Sequence, residues 1–152
     1  MLDETSARPP ETGVDRPVVL VVEDDPVLSV VIRRSIESLF SFYEVVHVTS
    51  SAAALAQIAR RIVPLVITDY RLPASTDGLK LAAMIRERSP ETRIALITAY
   101  ATPDVEQAAY TQGVDFYLPK PFLLKDLTLV VRNVLSWWQS QNQQEEGQSQ
   151  ST

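Results

Sequence analysis

Short apolar runs alternate with helical patterns along the middle of the chain. The first run, Val18 to Val22 (VVLVV), is β-branched and hydrophobic on both faces, which is typical of a strand buried in a parallel sheet. Asp25-Pro26 and Thr102-Pro103 are candidate starts of helices. Five strand–helix units in succession predict a doubly wound α/β sheet. The predicted strands are 18–22, 43–48, 65–68, 94–97 and 114–118.

The two ends of the chain differ from its centre. Residues 1–16 are polar and proline-rich, and residues 139–152 are a Gln/Ser-rich run with almost nothing to bury, so both are predicted to be disordered. The remaining residues, 17–138, suffice for one hydrophobic core. Its last predicted helix ends in Trp137 and Trp138, which cannot both face inward, so one is expected to be exposed. We expect a stand-alone domain, because no output domain follows it.

Composition restricts the chemistry. The chain has no Cys, one His and four Gly, which excludes disulfide frameworks, zinc ribbons, thiol nucleophiles and glycine-rich phosphate loops. Fourteen basic against 19 acidic residues disfavour nonspecific binding to nucleic acid or membrane surfaces. Without a secretion signal or a run of membrane-spanning length, a cytoplasmic location is expected. His47 lies within the second predicted strand and is expected to be structural, away from the active edge.

Candidate site residues follow four of the five predicted strands, whereas the second strand is followed by Thr49 and Ser50 and by no ionisable group. In open α/β sheets, ligands bind beyond the carboxyl ends of the strands. Clustered carboxylates there need a hard cation such as Mg²⁺, or an ammonium group, to relieve their repulsion. Acids, Mg²⁺, an amine and a hydroxyl suit phosphoryl transfer, with one carboxylate as the nucleophile. The residues are Glu23, Asp24 and Asp25 after the first strand, Asp69 after the third, Thr98 after the fourth and Lys120 after the fifth.

Four segments of the chain carry a resemblance to a known family: VVLVVEDD, VITDYRLP, ALITAY and YLPKPF. They occur in the family's order along the sequence, and with them the chain resembles the receiver domain of bacterial two-component response regulators, the CheY-like family. The resemblance spans residues 17–138. It implies a five-stranded parallel sheet in the flavodoxin-like order 2-1-3-4-5 with five helices. It also implies a phosphorylation switch rather than an enzyme, one that catalyses only its own phosphorylation and dephosphorylation. The implied donor is a sensor histidine kinase or a histidine phosphotransfer protein.

The resemblance also implies a set of metal-binding roles. Asp69 matches the phosphoacceptor, Glu23 and Asp24 match the acidic pair that helps to hold Mg²⁺, and Arg71 supplies a backbone carbonyl to the metal. The acidic tripeptide leaves the register open, since Asp24 and Asp25 form an alternative pair. We favour Glu23 and Asp24, because Asp25 then caps the helix that begins at the next residue.

The switching residues are implied in the same way. Thr98 matches the hydroxyl that moves toward the phosphoryl group, and Tyr117 matches the aromatic residue that turns inward with it, although an ordinary core role is the alternative for this tyrosine. Lys120 matches the amine that pairs with a phosphoryl oxygen, and the Lys120-Pro121 bond is expected to be cis. The expected output is contact with a downstream protein, with no nucleic acid or membrane involved, by a monomer or weak homodimer.

Two other functions fit part of the pattern. A phosphatase of the haloacid dehalogenase kind also uses an Asp nucleophile with Mg²⁺, but it needs a second Asp two residues later, where this chain has Arg71. A constitutive interaction module would not need the acids, the hydroxyl and the amine together.

The loop 69–78 is one residue longer than is usual in the family. Arg71 and Tyr100 lie where the family tunes dephosphorylation, so no phosphoryl lifetime is predicted.

Overall fold

A computed structural model of the chain describes residues 16–72 and 77–149. The disorder expected for residues 1–15 and 150–152 lies outside the described residues. The strands are β1 Val18–Val22, β2 Glu44–Val48, β3 Leu65–Asp69, β4 Arg93–Thr98 and β5 Phe116–Pro119. The helices are α1 Pro26–Leu39, α2 Ser51–Arg60, α3 Gly78–Arg88, α4 Pro103–Thr111 and α5 Leu124–Ser149.

The five strands form one parallel sheet in the order β2-β1-β3-β4-β5, which confirms the predicted fold class. β1 and β3 are neighbours, and the helix that follows β1 leads to the sheet edge at β2. This reversal of strand order opens a crevice beyond the carboxyl ends of β1 and β3. The crevice therefore lies next to the residues that follow these two central strands.

Helices cover both faces of the sheet, and each face has its own core. α1 and α5 pack on one face, and α2, α3 and α4 pack on the other. Every residue of β1 and β3 is buried, because both faces of these strands are covered. This explains why their sequences are continuous apolar runs. The helical core residues are Ile32, Ile36, Leu127, Val131, Val134 and Leu135 on the first face, and Ala54, Leu81, Ala82, Ile85 and Ala109 on the second.

The structure corrects the predicted start of the ordered domain. Arg16 was assigned to a disordered segment, yet its guanidinium donates hydrogen bonds to the carbonyls of Ser41, at 2.8 Å, and Tyr43, at 2.9 Å. These carbonyls belong to the turn before β2, where the strand ladder does not yet provide partners. Arg16 therefore ties the entry of β1 to the entry of β2.

The last helix is longer than predicted. The sequence predicted a disordered tail from residue 139, but α5 continues to Ser149. Once a helix exists, each added residue gains one hydrogen bond, and Gln and Glu favour the helix even without apolar burial. At the end of the predicted helix, Trp138 packs edge-on against Tyr43, whereas Trp137 is 41% exposed beneath the guanidinium of Arg93. Over residues 16–72 and 77–149, no helix is both long and apolar enough to cross a membrane.

Candidate functional site

The candidate side chains lie at the carboxyl ends of adjacent strands. Asp69 and Thr98 are the last residues of β3 and β4, and Glu23 and Lys120 directly follow β1 and β5. Backbone hydrogen bonds hold these ends in register. The Lys120 N–H donates to the Thr98 carbonyl at 2.7 Å, and the N–H that follows Asp69 donates to the Ile97 carbonyl at 3.0 Å. Residues from distant parts of the sequence therefore meet at one edge of the sheet.

Three carboxylates converge in the crevice. Glu23, Asp24 and Asp69 each offer an oxygen, and these oxygens all lie within 4.8 Å of one another. The Glu23 residue is fully buried and Asp69 nearly so, whereas Asp24 is exposed at the mouth of the site. A set of oxygen ligands that opens to solvent on one side suits Mg²⁺, which keeps several of its waters when bound. The residues present therefore fit this metal.

Asp25 does not join the acid cluster. Its carboxylate accepts hydrogen bonds from the N–H groups of Val27, at 2.9 Å, and Leu28, at 3.2 Å, and so caps α1. The backbone N–H of Asp25 donates to Glu23 Oε1 at 3.1 Å. Of the two pairs that the sequence left open, Glu23 and Asp24 are the pair beside Asp69.

Lys120 bridges two of the acids. Its ammonium donates to Asp69 Oδ2 at 3.0 Å and lies 3.4 Å from Glu23 Oε2. Burial lowers the pKa of Lys120, but the hydrogen bond to Asp69 and the charges of both acids outweigh that effect, so the pKa is raised. The peptide bond from Lys120 to Pro121 is cis, as predicted. The ammonium is thus held in its charged form next to the predicted acceptor.

Lys120 does not fully compensate for the burial and mutual repulsion of the acids. Burial raises the pKa of Glu23 to about 7, and the negative charge of Asp69 adds to this rise. The Asp25 N–H and the Lys120 ammonium oppose the rise without cancelling it. Additional positive charge would therefore stabilise the ionised acids, and a divalent cation would supply it.

The two predicted switch residues differ in the hydrogen bonds that their hydroxyl groups make. The buried Thr98 hydroxyl oxygen accepts a hydrogen bond from the Tyr100 N–H at 2.8 Å. Because this bond uses a lone pair, the hydroxyl proton can still be donated to an acceptor. The Tyr117 hydroxyl is buried and has no hydrogen-bond partner within the described part of the chain. Burial raises the pKa of Tyr117, and the charge of Glu106 adds to this effect.

The side chain of Arg71 contacts an aromatic ring. Its guanidinium stacks over the ring of Tyr100, 4.0 Å from the ring centroid. The Tyr100 ring also lies 6.3 Å from the ring of Tyr70. The two positions that the sequence associated with dephosphorylation therefore contact each other. The predicted role of the Arg71 carbonyl as a metal ligand stays a prediction.

Gly78 is a site residue that the sequence analysis missed. It is the first residue of α3, and its N–H donates to the Tyr70 carbonyl at 2.7 Å. A Cβ atom on Gly78 would lie only 2.3 Å from the carbonyl oxygen of Asp69. Only glycine allows α3 to approach the acceptor's backbone this closely. Its position at the end of the loop 69–78 was the available signal.

Replacing Gly78 with Ala is expected to lower the free energy of unfolding by about 1–3 kcal/mol, because the added methyl must displace backbone. Urea denaturation monitored by circular dichroism measures this loss. The same substitution at Gly147, in the last turns of α5, is the control and is expected to leave stability unchanged or slightly higher. Unchanged stability of Gly78→Ala would contradict the close approach of α3 to Asp69.

Sequence comparisons relate this chain to known proteins. Residues 19–132 match the family described as the response regulator receiver domain. The response regulator protein FleR of Pseudomonas aeruginosa is 40% identical over 118 residues, which are 77% of this chain and 24% of FleR. The DNA-binding transcriptional regulator NtrC of Escherichia coli K12 is 30% identical over 130 residues, 86% of this chain and 27% of NtrC. The chain thus spans about a quarter of the length of these relatives.

Solved structures show the same fold. The signal receiver domain of an HD domain-containing protein from Pseudomonas fluorescens Pf-5 superposes with a TM-score of 0.74 at 29% identity, covering 82% of this chain and 98% of that one. A CheY-like receiver domain from Methanospirillum hungatei JF-1 gives a TM-score of 0.73 at 24% identity, covering 84% and 98%. The second likeness concerns the fold alone.

Proposed function

The chain belongs to the response regulator receiver domain family, and on this premise we propose that it is a phosphorylation switch whose acceptor is Asp69. Receiver domains of two-component systems are phosphoacceptor switches. The proposed donor is a phosphohistidine on a sensor histidine kinase or a histidine phosphotransfer protein. The observation that carries the proposal is the contact of the Lys120 ammonium with Asp69 Oδ2 at 3.0 Å, beside two further carboxylates.

The contacts at Asp69 suggest how the transfer proceeds. Because Lys120 holds Oδ2, the other carboxylate oxygen of Asp69 can attack the phosphorus atom. The new oxygen–phosphorus bond forms as the phosphorus–nitrogen bond to the donor imidazole breaks, and the electron pair leaves with that nitrogen. The Lys120 ammonium and the Thr98 hydroxyl then donate hydrogen bonds to the phosphoryl oxygens. With the other ring nitrogen of the donor protonated, the imidazole leaves as a neutral group, and no other bond is made or broken.

The acid cluster supports a magnesium requirement. We propose that Glu23, Asp24 and Asp69 hold Mg²⁺, with the Arg71 carbonyl as a further ligand. When bound, Mg²⁺ neutralises charge on the carboxylates and on the transferred phosphoryl group. Burying acidic groups is costly unless they are compensated, and a module that only bound partners would gain nothing from this arrangement.

Thr98 supports the switching step. Its hydroxyl oxygen now accepts from the Tyr100 N–H, where the chain leaves β4 toward α4. Turning this hydroxyl toward a phosphoryl group would weaken that bond and release the β4–α4 connection. The buried Tyr117 hydroxyl lies on the neighbouring strand, so both residues would remodel the surface formed by α4, β5 and α5. A downstream protein that reads this surface is the proposed output.

Neither a phosphatase activity nor DNA binding is part of the proposal. A phosphatase of the haloacid dehalogenase kind is disfavoured, because that class needs a second Asp two residues after the nucleophile, where this chain has Arg71. DNA binding is named for the relative NtrC, of which this chain covers 27%, and it is not proposed for the part described here. Monomer or weak homodimer, and a cytoplasmic location, stay predictions.

Phosphoramidate is a suitable donor for the test, because its phosphorus–nitrogen bond resembles that of phosphohistidine. With Mg²⁺, we expect one phosphoryl group per chain, which is stable in acid, labile in base and located on Asp69 by peptide mass spectrometry. Chelating the metal with EDTA is expected to prevent the modification. Incorporation that persists in EDTA, or a product on serine or threonine that resists hydroxylamine, would contradict the proposed function.

A further inference from the structure

His47 reaches the backbone of the acid cluster, although the sequence analysis placed it away from the active edge. Its Nε2 lies 2.6 Å from the carbonyl oxygen of Glu23. A carbonyl oxygen can only accept a hydrogen bond, so Nε2 carries a proton and donates it. The chain's single histidine therefore contacts the main chain of a residue that the proposed metal site uses.

The bond from His47 replaces one that the sheet cannot provide. The ladder between β1 and β2 ends with the pair Val22 and Val48, and its last bond runs from the Glu23 N–H to the Val48 carbonyl at 3.1 Å. The next bond of a parallel ladder would come from the N–H of Ser50. Ser50 is instead the N-cap of α2, where its side chain accepts from Ala53. The Glu23 carbonyl is thus paired with a side chain.

We propose that His47 is a positioning residue, which fixes the peptide between Glu23 and Asp24 and thereby directs both carboxylates toward Asp69. The N–H of Glu23 is held by β2 and its carbonyl by His47, so the backbone is restrained on both sides of its Cα atom. The peptide is planar, so fixing this carbonyl also fixes the N–H of Asp24. The inference rests on the proposed function, because the carboxylates need this orientation in order to bind metal.

Mutual repulsion of the acids explains why such a restraint is needed. Three carboxylate oxygens within 4.8 Å repel one another, and Lys120 contacts only two of the three acids. Without a restraint, Glu23 and Asp24 would lower their energy by rotating apart. Groups that orient metal ligands through hydrogen bonds typically affect metal affinity by roughly 10–100-fold. His47 would act in this way through the backbone rather than on a ligand atom.

The first test uses Mg²⁺ alone as the probe. Phenylalanine at position 47 keeps a flat ring but cannot donate a hydrogen bond, whereas glutamine can place an N–H close to the position of Nε2. We expect His47→Phe to raise the Mg²⁺ dissociation constant roughly tenfold, and His47→Gln to stay within about threefold of wild type. Val45→Ala, on the same side of β2, is the packing control and should leave Mg²⁺ affinity unchanged. Isothermal titration calorimetry measures all four proteins.

The second test needs no metal. The Asp25 N–H donates to Glu23 Oε1, so its hydrogen exchange reports whether the Glu23 side chain keeps its place. In metal-free protein, NMR should show faster exchange of this amide in His47→Phe than in wild type, His47→Gln or Val45→Ala. If His47→Phe does not fold, His47→Leu provides the same comparison.

The outcomes separate this inference from the proposed function. Wild-type Mg²⁺ affinity and unchanged Asp25 exchange in His47→Phe would overturn the positioning role. The same follows if His47→Gln fails as fully as His47→Phe, because the ring rather than its N–H would then matter. Absence of Mg²⁺ binding by the wild-type chain would instead contradict the proposed function, and the exchange of Asp25 would still decide the role of His47.

Discussion

Replacing Asp69 with Asn is expected to abolish phosphoryl incorporation from phosphoramidate in the presence of Mg²⁺. An amide oxygen lacks the negative charge of a carboxylate and cannot form a stable acyl phosphate. The substitution also removes one of the three acidic oxygens of the cluster. Asn has nearly the same shape as Asp and its oxygen can still accept from Lys120, so the fold should be kept. Incorporation is measured by intact-protein mass spectrometry and folding by circular dichroism.

Asp77→Asn is the matched control, because it makes the same chemical change in the neighbouring loop. Asp77 caps α3 by accepting from the Lys80 N–H at 2.8 Å, and Asn caps helices equally well. This variant should be modified to the same extent as wild type. Base-labile incorporation that persists in Asp69→Asn would show that another residue is the acceptor, and the proposed function would then be wrong.

The fold could be predicted from the sequence because its strands are buried on both faces. A strand such as β1 needs apolar residues at every position, and this pattern is visible without any knowledge of its partners. The strands are parallel, so their carboxyl ends all lie at one edge of the sheet. Glu23, Asp69 and Lys120 lie close together for this reason. For these residues, topology alone was enough to bring the side chains together.

The residues that the sequence missed act through backbone atoms. His47 contacts the carbonyl of Glu23, and Gly78 leaves room for the carbonyl of Asp69. Neither contact changes the hydrophobic pattern or brings an ionisable group to a strand end. Which carbonyl lacks a ladder partner depends on where β2 turns away from the sheet. A shift of one residue in the end of β2 would change which carbonyl is unpaired, and hydrophobic patterns do not locate the ends of strands to a single residue.

The length of α5 is a different kind of error. Low hydrophobicity correctly indicated that residues 139–143 bury little, but it does not distinguish coil from an exposed helix. A helix that is already nucleated by packing, as α5 is through Leu127 and Val131, can continue at little cost. Composition therefore predicted the solvent exposure of this segment better than its backbone conformation.

Replacing Lys120 with Met is expected to slow phosphorylation by about 10²–10³-fold at saturating Mg²⁺, as for the loss of one preorganised donor to a developing oxyanion. Met keeps the unbranched stem but cannot donate to the phosphoryl oxygens. The ammonium also competes with a cation for Asp69 and Glu23, which it contacts at 3.0 and 3.4 Å. Removing it should therefore preserve or strengthen Mg²⁺ binding while transfer slows.

These opposite effects distinguish a role in transfer from a role in folding. A variant that was merely unfolded would lose both phosphorylation and Mg²⁺ affinity, whereas Lys120→Met should lose only the first. Lys125→Met, on the exposed first turn of α5, is the control and should match wild type in both measurements. Rates are measured by quenched mass spectrometry and affinities by calorimetry. Wild-type phosphorylation of Lys120→Met would mean that the Lys120–Asp69 contact is only a structural ion pair.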